Sequence, residues 1–162
     1  MKPLVHVIFI LSLLSCGCTG RHADVSQDDR EALKRTTAAI RDAFGRGDVD
    51  AILALHHPDV VKYFGGDNIM RGREGLRKQL TGWLRDNNVE FVENRIESTL
   101  FNEGTAVETS IFAIKSTPKR GGAPSIARGR SMVVYVRYKD SPTGWASIRE
   151  VTQEAPAGTA SH

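Results

Sequence analysis

Near Val89 the apolar residues of this chain change their spacing, and that change limits the folds open to it. Before it, Leu33, Thr37, Ile40 and Phe44 recur at steps of four and three, and Leu76, Leu80, Trp83 and Leu84 lie at i, i+4, i+7 and i+8. Each set forms one stripe along a helix. After it, residues 89–100, 106–115, 126–138 and 145–152 are rich in branched and aromatic side chains. They are separated by FNEGT, TPKRGGAP and KDSPTG, all turn chemistry. Sequential strands with short connections predict an antiparallel meander. Helices first and strands afterwards make an α+β protein, its helices covering one face of the sheet.

The helical half carries its own punctuation. Ser26 is placed to cap the first helix, with Asp28 and Asp29 in its first turn. Gly47, in GRGD, suits the left-handed position after it. Asp48 caps a second, short helix with Val49, Ile52, Leu53 and Leu55 as its apolar residues. Pro58 is expected to stop that helix, because its ring biases His57 away from helical geometry. DVVKYFGG then reads as a short strand ending in a glycine turn, and IMR as an extended piece before the third helix. These elements set one domain at residues 26–152, with 153–162 as a flexible tail.

Ahead of the domain lies MKPLVHVIFILSLLSCGCTG. A single charge at Lys2 precedes an apolar run from Leu4 to Leu14, too short for a stable membrane span and suited to a secretory signal. LLSC, Leu13 to Cys16, resembles the lipobox of bacterial lipoproteins. That resemblance implies a signal peptide over 1–15, cleavage before Cys16, lipidation of that cysteine, and a tether over 16–25. Cys18 is a poorer match, because Ser15 then stands where an apolar residue is preferred. The expected location is the cell envelope, anchored to a membrane and facing the periplasm or the exterior. Two or three acyl chains, each buried methylene contributing about 0.8 kcal/mol, hold a protein there almost permanently. The only cysteines are Cys16 and Cys18, so the domain has no disulfide and stands on its core.

Charge argues against a nucleic-acid partner. The net value is +3, from 22 basic and 19 acidic residues, too weak and too dispersed for a backbone-tracking surface. Arg71, Arg73, Arg77 and Lys78 form the nearest thing to a basic cluster and read as a solvated helix face.

LHHPD invites a metal reading and fails it. His56 and His57 are neighbours, and on a helix they point about 100 degrees apart. Zinc-binding histidine pairs on one helix need i, i+4 spacing, which this sequence lacks. The stretch reads as helix-end architecture, with His57 at the mouth of any cavity, and no cofactor or metal is expected.

The same region carries a family resemblance. GDVDAILALHHPDVVKYFGG followed by RGREGLRKQLTGWL is similar to the SnoaL-like branch of the nuclear-transport-factor-two-like superfamily. The matching residues are Gly47, Asp48, Asp59 and Gly72, and the segment from Gly129 to Glu150 looks like the family's last two strands. The resemblance implies a cone-shaped roll: three N-terminal helices packed on a strongly curved, mainly antiparallel sheet, with a pocket between them. Steroid isomerase members use a carboxylate on the first strand and a tyrosine on the first helix. Those places fall on Phe64 and Ile40, neither of which transfers a proton.

Strand and helix alternation, uncertain by one residue in each register, nominates Tyr63, Trp83, Glu108, Arg130 and Arg149 as pocket residues. An inward Glu108 is expected to pair with Arg130 or Arg149, since lone buried charges are costly. Three readings follow. The preferred one is a non-catalytic binder of a small hydrophobic or amphipathic ligand or an accessory module, its pocket free of any isolated carboxylate or histidine with a displaced pKa. The second is an isomerase, cyclase or dehydratase working by proton transfer, with Glu108, His57 or Asp67 as the acid or base. The third is a homodimeric scaffold using the open face of the sheet, with Val133, Tyr135 and Ile111 exposed there.

Overall fold

The computed structural model describes residues 26–155; the expected signal peptide, Cys16 and the tether lie outside them. The chain runs α1 (Gln27–Arg46), α2 (Val49–Ala54), β1 (His56–Tyr63), β2 (Ile69–Arg71), α3 (Gly72–Asp86), β3 (Asn87–Asn102), β4 (Thr105–Pro118), β5 (Ser125–Arg137) and β6 (Trp145–Glu154). The caps follow from local chemistry. Ser26 Oγ accepts the Asp29 N–H at 3.1 Å, and the Asp48 carboxylate accepts the Ala51 N–H at 3.0 Å. Gly47 closes α1 at φ 68°, a left-handed conformation that suits a residue without Cβ.

α2 ends earlier than Pro58 requires. It stops at Ala54, and His56 already belongs to β1. LHHPD is therefore the start of a strand rather than the end of a helix, and Pro58 sits inside a break in strand pairing between His56 and Val61. A residue without a backbone N–H is tolerated at such a place.

The six strands lie in the order β2-β1-β6-β5-β4-β3. β3 to β6 form the expected antiparallel meander, but β1 pairs with β6 in parallel. Parallel neighbours need a long crossover, and here the rest of the domain supplies it. α3 carries the chain from the β2 edge to β3 at the opposite edge. Pairing slips on β3 between Phe91 and Glu93 and between Ile96 and Ser98. On β6 it slips at Ile148, where Val134 faces Arg149 but Tyr135 faces Ser147. Each such bulge bends its strand. β6 also continues through Gln153 and Glu154, beyond the Thr152 limit expected from the sequence.

Two apolar clusters hold the layers together. One joins α2, α3 and β1 through Ile52, Leu53, Val60, Leu76, Leu80 and Leu84. The other joins α1 to the sheet through Leu33, Ala106, Val133, Tyr135 and Trp145. Val133, Tyr135 and Ile111 are thus buried, not exposed on an open face as the scaffold reading required. Exposed apolar residues of the outer strands include instead Met132 and Val151, paired across β5 and β6, and Ile96, Leu100 and Ile126.

Candidate functional site

Helices and sheet enclose a cavity of about 650 Å³ whose wall draws on both clusters, a volume suited to a small molecule. The helical side is mostly apolar, with Ile40 and Phe44 from α1 and Leu76, Leu80 and Trp83 from α3, and carries Thr37 and Arg41 on α1 and Gln79 on α3 as its polar members. Phe44 fixes this side, meeting the rings of Trp83 and Phe91 edge-on at 6.1 and 5.8 Å. On the sheet side Phe112 lies so close to Gly129 that a Cβ there would stand 2.7 Å from the ring.

Most of the polar groups come from the strands, in rows. Residues opposite one another on neighbouring strands point to the same side of a sheet. One row across the inner face is Lys62, Glu150, Val133, Glu108 and Thr99. Beside it run His56, Ser147, Tyr135 and Ala106. On its other side lie Thr152, Ser131 and Ser110, the two serine hydroxyls 3.1 Å apart.

The first row places two carboxyls in different settings. Glu150 meets Lys62 Nζ at 2.5 Å in a largely buried ion pair. Glu108 is only 7% exposed, and among the described residues it has no such partner within ion-pair distance. Burial pushes its pKa up; the positive charge of Arg41 and a hydrogen bond from Thr99 pull the other way without cancelling it. Tyr135, in the neighbouring row, is held protonated: burial raises its pKa well above the ordinary phenol value, and Glu108 and Glu150 raise it further. His56 is fully buried, and burial followed by the charge of Lys62 keeps its pKa well below 6.5. The ring is therefore neutral. Its Nδ1 lies 2.6 Å from the Ile52 carbonyl, which fixes the Nδ1–H tautomer as donor and leaves Nε2 as an acceptor.

Against the sequence candidates, Trp83 and Glu108 line the cavity. Tyr63 does not; it is 37% exposed on the outer face, and Lys62 takes the inward position. Arg130 points outward and donates to Glu97 at 2.8 Å. Arg149 is outside as well, with Nη1 donating to the Asp59 carbonyl at 2.8 Å. The pairs expected between Glu108 and either arginine therefore do not form; the buried pair is Lys62–Glu150. His57 packs its ring on Tyr138 at 4.9 Å, away from the cavity, and Asp67 is exposed in the turn before β2. Alternation missed Lys62, Tyr135 and Glu150 by choosing the wrong parity, and His56 because its segment was read as helical. Among the described residues, no group of three or more His, Cys, Asp or Glu is placed to hold a metal ion.

A family model described as "SnoaL-like domain" matches residues 37–141. The chain belongs to the SnoaL-like family. The fold of this SnoaL-like domain is similar to that of solved structures, some of them described as NTF2-like. A conserved protein from Planctomyces limnophilus is 20% identical and aligns over 80% of this chain and 100% of its own, with a TM-score of 0.70. A proposed dehydratase of the NTF2-like family from Streptomyces avermitilis is 18% identical over 80% of this chain and 97% of its own, with a TM-score of 0.67. A ketosteroid isomerase-like protein from Erwinia carotovora atroseptica is 18% identical over 82% and 100%, with a TM-score of 0.66. At these identities the likeness is one of fold. No curated protein matches the sequence. In this SnoaL-like domain Ile40 and Phe64, the positions that the sequence count sets against the steroid isomerases' tyrosine and carboxylate, line the cavity as apolar side chains. The inward carboxyls come from β4 and β6 instead.

Proposed function

We propose that this SnoaL-like protein is an enzyme that moves a proton on a small, mostly apolar substrate, with Glu108 as its acid or base. The observation that carries this reading is the position of Glu108: an inward carboxyl with a raised pKa, facing an otherwise largely apolar cavity. A non-catalytic pocket has no need of a desolvated acid, and a group tuned toward neutrality is what proton transfer uses. As a carboxylate, Glu108 takes a proton from carbon or from water. In its acid form it returns that proton to carbon or to a departing oxygen. Tyr135, kept protonated in the next row, offers an O–H to charge developing on a substrate oxygen. The names of two fold neighbours, a proposed dehydratase and a ketosteroid isomerase-like protein, are in keeping with this chemistry.

The test uses the full chain in detergent, incubated in D2O with a panel of cyclic ketones and β-hydroxy ketones and followed by NMR. The expected result is deuterium incorporation or loss of water with at least one panel member, reduced about 10²- to 10⁴-fold in Glu108→Gln. Turnover that survives Glu108→Gln at wild-type rate contradicts the assignment. A ligand carrier is the second reading, favoured by the closed Lys62–Glu150 pair and the mostly apolar helical wall. It predicts thermal stabilisation by an apolar ligand, with no exchange under any condition.

The reading includes an address. Cys16, in its lipobox-like setting, is proposed as the lipidated residue that moors the protein to a membrane of the cell envelope. Expressed in a bacterium, the full chain is expected to incorporate labelled fatty acid and to lose the label in Cys16→Ala. An unlabelled wild type contradicts the anchor without touching the enzyme.

A further inference from the structure

Among the described residues two buried side-chain polar atoms have no hydrogen-bond partner, His56 Nε2 and Ser147 Oγ. They are neighbours in the fold: His56 on β1 faces Ser147 on β6, and both residues line the cavity. Their chemistry is complementary to a single group. With Nδ1–H bound to the Ile52 carbonyl, Nε2 on the far side of the ring is an acceptor. The serine hydroxyl donates or accepts. Leaving both atoms unpaired is costly in a buried place, because each has given up water and gained nothing in return.

We propose that His56 and Ser147 form a hydroxyl-recognising subsite, in which a ligand O–H donates to His56 Nε2 and its oxygen accepts from Ser147 Oγ. The inference rests on the proposed function above and narrows its substrate class to a small, mostly apolar alcohol or phenol. Geometry supports it in two ways. The row of His56 and Ser147 adjoins the row of Glu108 and Glu150, so a hydroxyl held here leaves the body of the molecule against the acid and the aromatic helical wall. The imidazole also cannot turn its donor to the ligand, since Nδ1 is held at 2.6 Å by a backbone carbonyl. The subsite therefore favours an O–H over a carbonyl or a carboxylate at this point. Water carries the same O–H chemistry, and the test separates the two sources.

The experiment titrates 15N-histidine-labelled full chain, in detergent, with 2-naphthol and with naphthalene. Long-range 1H–15N spectra read the His56 Nε2 signal, assigned with His56→Phe. The expected result is an upfield move of Nε2 with 2-naphthol and none with naphthalene, and about 10-fold tighter binding of the naphthol. Ser147→Ala, a mild change in case His56→Phe fails to fold, is expected to weaken 2-naphthol severalfold and to leave naphthalene unaffected. Equal affinity of the two probes overturns the subsite while leaving the cavity reading intact. Binding of neither probe overturns both. A free-state Nε2 signal already at its hydrogen-bonded position also overturns it. That position shows a resident water if it persists in Ser147→Ala, and a direct Ser147–His56 bond if it is lost there.

Discussion

Glu108 and Glu97 sit on adjacent strands of one sheet and have opposite fates. Glu97, beside the β3 bulge, lies toward the outer face with Arg130 bidentate on its carboxylate. That hydrogen-bonded pairing holds its pKa below the ordinary value of 4.5. Glu108 faces the cavity, and burial holds its pKa above that value. The residue type is the same; the side of the sheet sets the sign. A charge on the outer face is solvated and paired, so it costs and contributes little. A charge on the inner face has lost its water, and either finds a partner, as Glu150 finds Lys62, or stays available for chemistry.

The contrast is open to direct attack. The largest effect is expected at Glu108→Gln: proton-transfer turnover falls about 10²- to 10⁴-fold, while urea denaturation shows stability equal to or above wild type at neutral pH. A loss of stability of the same rank as the loss of rate makes Glu108 a structural residue. Next comes the buried pair. Lys62→Met strands the Glu150 carboxylate in the cavity wall and is expected to cost about 3–5 kcal/mol in urea unfolding, whereas Lys62→Met with Glu150→Leu recovers most of it. If the double variant is no more stable than the single one, desolvation is not what governs this face.

The pH dependence is smaller and has two parts. His56 is neutral in the fold and titrates at about 6.5 once unfolded. Below that value the unfolded chain holds a proton that the native ring refuses, so stability falls as the pH is lowered from about 6.5, by up to ~1.4 kcal/mol per pH unit. Glu108 slopes the same curve the other way. Its raised native pKa means its contribution is complete below 4.5 and is lost as the pH rises through the native value. Urea titrations from about pH 4 to 7.5 on wild type and Glu108→Gln separate the two slopes. The smallest effect belongs to the outer face. Arg130→Ala and Glu97→Ala are expected to leave both turnover and the unfolding midpoint unchanged within error. A marked loss of activity in either variant breaks the division between the faces.

Much of the architecture was readable from residue spacing, and the reasons it stopped being readable are local. Ser26, Gly47 and Asp48 act through neighbours three or four residues away, so their roles are visible in sequence. The strand limits follow from turn residues that act equally locally. Register does not. Arg149 has the same nominal parity as Trp145 and Ser147, yet the bulge at Ile148 turns it outward and brings Glu150 in. DVVKYF offers apolar residues at both parities, Val60 on one and Val61 on the other, so nothing nearby says that Lys62 faces in and Tyr63 out. His56 stays hidden as long as Pro58 reads as a helix stop, because Pro58 lies in the irregular start of a strand. Glu108 was found because Ala106, Ser110 and Phe112 share its parity on a strand with no slip between them and β5. The face of a residue survives sequence reading where the ladder is regular and is lost across a bulge.

The measurement that bears most directly on the account is a 13C-carboxyl NMR titration of the full chain, with Glu108 and Glu97 assigned through their glutamine variants. The expected Glu108 midpoint lies above 4.5 and the Glu97 midpoint below it, in the same sample. A Glu108 midpoint at or below 4.5 means a solvated or ion-paired carboxylate, and contradicts the claim that the cavity holds a desolvated acid.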